Sequence, residues 1–125
     1  MSGGGSQRQL LGILRRLDRE RFEPHLYIVT PGGELLGELP EDVPLDVFGL
    51  RYRPQRWIYA GQAHRARVRD LAAMLHDRQI DVVYDRTYHM TLITAGAVQR
   101  RPTPRVSVIV TDPARDFQTN HERFG

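Results

Sequence analysis

Hydrophobic residues recur along this chain with two periods, and each period predicts a type of element. A spacing of three to four residues is typical of an amphipathic helix, whereas a short continuous apolar run indicates a buried strand. The helical period predicts three main helices, over about Gln7–Arg19, Gln62–Gln79 and Tyr88–Arg100. The apolar runs predict four strands, over about Pro24–Val29, Pro44–Phe48, Ile80–Tyr84 and Arg105–Val110. A shorter helical piece lies between the first two strands, around Leu35, Leu36 and Leu39.

The alternation of helices and strands predicts the fold class. Strands separated by helices of this length pair in parallel through right-handed crossovers, which gives a doubly wound, Rossmann-like α/β sheet. Such a unit normally opens with a strand at the centre of the sheet, whereas this sequence opens with a helix. We therefore expect residues 1–125 to form a single, incomplete domain. Three explanations for the missing first strand are open: it lies upstream of the sequence, another chain supplies it, or the remaining strands pack together without it.

Ligands of doubly wound sheets bind at the carboxyl ends of the strands, and this rule selects candidate residues. Arg86 and Thr87 follow the third predicted strand and could hold an anionic group of a substrate, although a solvated loop arginine would look the same. Thr111 and Asp112 follow the fourth strand. As a catalytic carboxylate, Asp112 could orient a hydroxyl group or stabilise positive charge on a substrate. The alternative is an Asp-Pro turn with no chemical role.

Two further segments have a composition suited to ligands. Gly3, Gly4 and Gly5 precede the first helix, where backbone amides and the helix dipole favour a phosphate; the alternative is a floppy start. Between the second strand and the next helix, Arg53 and Trp57 belong to a loop rich in arginine and aromatic residues. That mixture suits a membrane surface, a lipid or a polyanion, or else a surface loop whose rings pack on the sheet. No groove-reading motif is present, so we predict no nucleic-acid partner.

Composition narrows these classes further. All 18 basic residues are arginine, and the net charge is +3. Arginine binds phosphate in a bidentate manner, but a general compositional bias would give the same count. The absence of cysteine excludes disulfides and thiolate metal sites. The histidines show no metal-ligand spacing, so we predict no metal, and we expect His89 to cap its helix. No apolar run reaches about 18 residues and no secretory signal is evident, which predicts a cytoplasmic protein with peripheral membrane contact as an open alternative.

Three stretches occur in a defined order: the glycine run entering the first helix (residues 3–11), the segment 17–26 running into 31–35, and the strand 80–84 followed by 106–112. Together they resemble the N-terminal domain of family 4 retaining glycosyltransferases, which are two-domain enzymes of the GT-B type. The resemblance covers nearly the whole chain. This sequence departs from the family near Asp112, where the family usually places a histidine in a Thr-x-His pattern.

The resemblance implies an acceptor-binding domain that faces a second, C-terminal domain holding the nucleotide sugar. The glycine loop would approach the donor diphosphate, and the donor is a substrate rather than a cofactor. The acceptor would be lipid-linked or anionic, and the chain alone would lack transferase activity. The residues also leave open a different class, a non-catalytic α/β module that binds an anionic ligand or a protein partner through its arginines.

Overall fold

The computed structural model shows a mixed α/β protein. It describes the backbone of residues 5–30, 34–51 and 61–108 and the side chains of residues 7–30, 36–50 and 61–108. The helices are α1 (Gly5–Arg16), α2 (Phe48–Arg51), α3 (Gln62–Asp77) and α4 (Tyr88–Arg100), with a 3-10 helix at Glu34–Glu38. The strands are β1 (Leu26–Ile28), β2 (Leu45–Val47), β3 (Val83–Arg86) and β4 (Arg105–Val108). The predicted order of elements is confirmed, with the short α2 as an addition. No helix in these described ranges is long and apolar enough to cross a membrane.

The described strands form two parallel pairs, β1 with β2 and β3 with β4. The parallel pairing and the α/β class confirm that part of the sequence prediction, and the single doubly wound sheet stays a prediction. The chain divides into two compact units, Met1–Arg53 and Pro54–Gly125, and each is described by itself.

In the first unit, apolar side chains from α1, the paired strands and the segment before β2 form one buried cluster. Its buried members are Leu14, Leu26, Ile28, Val43 and Val47. The register sets Leu26 against Leu45 and Ile28 against Val47, so that alternate residues of β1 and the end of β2 reach the core.

The helix α1 ends at Arg16, earlier than the predicted Arg19, because Asp18 redirects the chain. The Asp18 side chain accepts a hydrogen bond from the backbone N–H of Glu20 at 2.9 Å, and its carbonyl accepts from Phe22. Such a local carboxylate contact competes with helix continuation. Arg19 is thereby released to pair with Asp42, with nitrogen–oxygen distances of 2.5 and 3.3 Å. The hydrogen bond from Arg19 holds the pKa of Asp42 below its usual value.

In the second unit, α3 ends in a backbone cap that delays the next strand. Gln79 adopts a left-handed conformation with φ of 52°, its N–H bonds the His76 carbonyl, and the N–H of Ile80 bonds the Leu75 carbonyl. This is the pattern of a Schellman cap. The backbone N–H of Ile80 therefore bonds to the end of the helix and not to a neighbouring strand. The predicted strand is present, but it runs over Val83–Arg86, so the predicted limits Ile80–Tyr84 are wrong.

The helices α3 and α4 approach closely at Gly96. A Cβ atom at this position would lie 2.8 and 3.0 Å from the two methyl carbons of Val68. Val68 is buried and its χ1 angle is restricted by β-branching, so it has little room to move. The absence of a side chain at Gly96 thus sets the distance between the two helices.

We predict that Gly96→Ala destabilises the protein although alanine is the better helix former. The gain in helix propensity is about 1 kcal/mol, whereas overpacking costs about 1–3 kcal/mol. Gly12→Ala is the matched control, because a Cβ at Gly12 meets no atom of the described residues within 4 Å. Urea unfolding should show Gly12→Ala as neutral or stabilising. Adding Val68→Ala should abolish the cost of Gly96→Ala, and a cost that persists would show that Val68 is not its cause.

Candidate functional site at the carboxyl end of β3

The parallel pairing of β3 and β4 brings the ends of both strands to one edge. The register sets Asp85 against Ser107 and Arg86 against Val108. Arg86 is the last residue of β3, and Thr87 connects it directly to α4. The structure therefore places both predicted substrate-binding residues of this segment at the carboxyl end of a parallel strand, with Arg86 inside the strand and not after it.

A buried carboxylate organises this edge. Asp85 is only 5% exposed, and its two oxygens accept hydrogen bonds from different elements. The Thr91 hydroxyl of α4 donates to Oδ1 at 2.7 Å, and the Ser107 hydroxyl of β4 donates to Oδ2 at 2.9 Å. Hydrogen bonds to a charged acceptor are about twice as strong as neutral ones. Asp85 thus links β3, α4 and β4 at the point where the candidate residues lie.

The sequence predicted no role for Asp85. Alternation along β3 puts Asp85 on the same face as Val83, which is less exposed than the face of Tyr84, but this difference is visible only in the structure. The partners themselves were not visible. Thr91 lies on the next helix and Ser107 on a separate strand, and only the fold brings them to the carboxylate.

Thr87 has an unusual backbone and a defined local role. Its φ of 79° and ψ of 147° lie in a region that glycine occupies almost exclusively. The Thr87 hydroxyl accepts from the N–H of Met90 at 3.4 Å and so caps α4, while the Thr87 carbonyl lies 3.0 Å from the Thr91 hydroxyl and shares its single proton with Asp85. Such strain costs of the order of 1–3 kcal/mol and is typical of ligand-binding turns.

Arg86 is half-buried and held by its neighbour on the same strand face. Its Nη1 donates to the Tyr84 hydroxyl at 2.9 Å. Tyr84 is itself 41% exposed, so the guanidinium is positioned at a surface that solvent reaches. A guanidinium in such a place can donate to anionic or hydroxyl groups of a ligand.

His89 does not cap α4, contrary to the prediction, because Thr87 occupies that position. It lies half-buried in the first turn of the helix. Burial lowers the pKa of His89, and the positive charges of Arg67 and His64 on α3 lower it further. We refer to His64, Arg67 and His89 as the cationic cluster. No sequence motif pointed to it, since its members come from two helices.

The other predicted site residues fall outside the part of the chain that the structure describes: Gly3, Gly4, Arg53, Trp57, Thr111 and Asp112. Their roles remain predictions. Gly5 is the first residue of α1, in agreement with a glycine run that leads into a helix. Over the described ranges, no group of three or more histidine, aspartate or glutamate side chains could hold a metal ion. No protein-family model, curated protein or solved structure matches the chain.

Asp85→Asn should destabilise the protein by about 1–2 kcal/mol, because the amide has one acceptor oxygen in place of two, so that one hydroxyl loses its acceptor and the other makes only a neutral hydrogen bond. Asp81→Asn is the control: it makes the same chemical change in the exposed connection before β3, where an effect within about 0.5 kcal/mol is expected. Both free energies of unfolding are measured in urea. Equal effects of the two substitutions would contradict the role given to Asp85.

The lowered pKa of His89 predicts a pH dependence of stability. An unfolded imidazole titrates near 6.5, and the folded one titrates below that value. Between the two pKa values the unfolded chain binds more protons, so the free energy of unfolding should fall as pH drops through this window. Above the unfolded pKa the histidine is neutral in both states and contributes no slope.

Urea unfolding of wild-type protein and of His89→Gln across this pH range checks this. The variant should lose the part of the slope that belongs to His89. Arg67→Gln should reduce that slope only in part, because burial is the larger cause of the shift. Identical pH profiles for wild-type protein and His89→Gln would refute the prediction.

Proposed function

We propose that this chain is the acceptor-binding N-terminal domain of a retaining glycosyltransferase of the GT-B type, with a doubly wound, Rossmann-like sheet in the complete protein. The enzyme would transfer a sugar from a nucleotide-sugar donor to an acceptor. The chain by itself would bind acceptor and would not catalyse transfer.

One observation carries the proposal. The crossover β3–α4–β4 is parallel, with Arg86 at the end of β3 and Thr87 directly after it, and this supports the proposal because ligands of doubly wound sheets bind at the carboxyl ends of the strands. A strained, helix-capping Thr87 and a buried Asp85 that ties three elements together support this assignment. A plain surface turn would need neither.

The chemistry of the edge is compatible with an acceptor. Arg86 offers donors to hydroxyl or anionic groups, and Asp85 is occupied by Thr91 and Ser107 and therefore holds the turn instead of a ligand. We assign donor recognition to a second domain, as the resemblance implies. In this proposal the glycine run, Arg53, Trp57, Thr111 and Asp112 keep their predicted roles. The protein would act in the cytoplasm, with a lipid-linked acceptor as the reason for any peripheral membrane contact.

Calorimetry of this chain with UDP-glucose, GDP-mannose and inorganic pyrophosphate tests the assignment. We expect no nucleotide sugar to bind more than a few-fold more tightly than pyrophosphate, because base and sugar would be read elsewhere. An affinity for one nucleotide sugar about tenfold above that for the others and for pyrophosphate would contradict the proposal, since each tenfold step is about 1.4 kcal/mol of selective contact.

In a protein that joins this chain to a donor domain, Arg86→Gln should raise the KM for the acceptor and leave the KM for the donor unchanged. Arg69→Gln is the matched control, because it removes the same charge from an exposed position of α3. An equal rise for both variants would show a general effect of charge and not contact with the acceptor.

A second candidate, a non-catalytic module that binds an anionic ligand or a protein partner, is favoured by the cationic cluster. Arg67 and His64 act on His89 with charges of the same sign, which is a suitable environment for an anion. The coding sequence beyond residue 125 separates the two candidates. A second α/β domain with a glutamate-rich nucleotide-sugar motif favours the enzyme, whereas a stop codon and no partner gene favours the module.

A further inference from the structure

The helices α3 and α4 run in the same direction in the second unit. The helix α4 links two parallel strands, so it must run antiparallel to β3. The helix α3 joins the start of β3 through a short connection and packs against α4, which gives it the same direction. The N-terminal ends of both helices therefore lie at the carboxyl end of β3.

Helical spacing then brings specific residues together there. Val68 of α3 faces Gly96 of α4, as the close approach of their atoms shows. His64 lies one turn before Val68 on the same face, and His89 lies two turns before Gly96 on the same face. Arg67 flanks Val68 one residue earlier. Side chains on helices lean towards the N-terminus, so these three converge on the same end of the helix pair.

We propose that His64, Arg67 and His89 bind the dianionic phosphate group of a phosphorylated ligand. Arg67 supplies a permanent charge and a planar set of donors that matches phosphate oxygens. Each imidazole supplies an N–H donor, and the two helix N-termini add partial positive charge at the same end. The site therefore combines hydrogen-bond donors and positive charge from two helices.

The composition of the cluster argues against a metal ion. Two imidazoles alone are too few ligands, and the fixed charge of Arg67 repels a cation. The positive charges that lower the pKa of His89 are those an anion would neutralise. The nearest carboxylate along α3, Asp70, lies one turn beyond Arg67, away from the N-terminal end of the helix.

The next step rests on the proposed function. Together with that function, the phosphate site indicates the class of acceptor, which is a sugar or lipid headgroup that carries a phosphate monoester. Phosphate binding by the cluster does not itself depend on sugar transfer. Failure of the two ideas can therefore be distinguished, because the proposed function fails on selective nucleotide-sugar binding and the present inference fails on phosphate binding.

Calorimetry at constant ionic strength tests the site with inorganic phosphate and glucose 6-phosphate as probes. Both should bind to the wild-type chain. Arg67→Gln should weaken both by about tenfold or more, because a charge-assisted bidentate contact is lost. His89→Gln should weaken both by a smaller factor. Arg69→Gln, the same change at an exposed position of the same helix, should alter the affinity by less than about twofold.

Three results would overturn the inference: no binding of either probe at millimolar concentration, equal losses in Arg67→Gln and Arg69→Gln, or no loss in either Arg67→Gln or His89→Gln. Thermal unfolding of each variant shows whether it is folded. If Arg67→Gln is not, Arg67→Lys serves instead, since it keeps the charge but loses the planar donors and should still weaken binding.

Discussion

The carboxylate of Asp85 is the interaction on which the carboxyl end of β3 depends in the second unit. It is buried, and it takes one hydrogen bond from α4 through Thr91 and one from β4 through Ser107. A buried charge must be satisfied, so the three elements are held at fixed distances from one another. Because the Thr91 hydroxyl also lies 3.0 Å from the Thr87 carbonyl and shares its single proton between that oxygen and Asp85, this hydroxyl joins the carboxylate to a backbone conformation that threonine would otherwise avoid.

A second constraint acts at the helix pair. Gly96 allows α4 to approach Val68 of α3 closely, and this approach sets how near the N-terminal ends of the two helices lie. His64, Arg67 and His89 share an environment for that reason, not because any local sequence pattern joins them. The packing of Gly96 against Val68 and the hydrogen bonds of Asp85 thus act on the same edge of the second unit. Positive charge and the end of a parallel strand both lie at this edge.

The sequence predicted the elements better than their limits or assembly. Apolar spacing identified α1, α3 and α4 and the order of the strands, because these segments have a clear period. Prediction of the limits failed where a single side chain or cap intervened: Asp18 ended α1 early, and the left-handed Gln79 delayed β3. The rule for parallel strands selected Arg86 and Thr87, which lie at the end of β3 and directly after it, and their role in binding a ligand stays a prediction. It could not give a role to Asp85 or reveal the cationic cluster, since both depend on contacts between elements distant in sequence.

The central claim is that the carboxyl end of β3, with the N-terminal ends of α3 and α4, is the ligand-binding edge of the second unit. Amide chemical shifts recorded during titration with glucose 6-phosphate test it most directly. The account predicts that the changes concentrate in residues 61–67 and 86–91 and that the segment around Gln79, at the opposite end of α3, is unaffected. Changes centred on that opposite end, or spread evenly over the arginines of the chain, would contradict it.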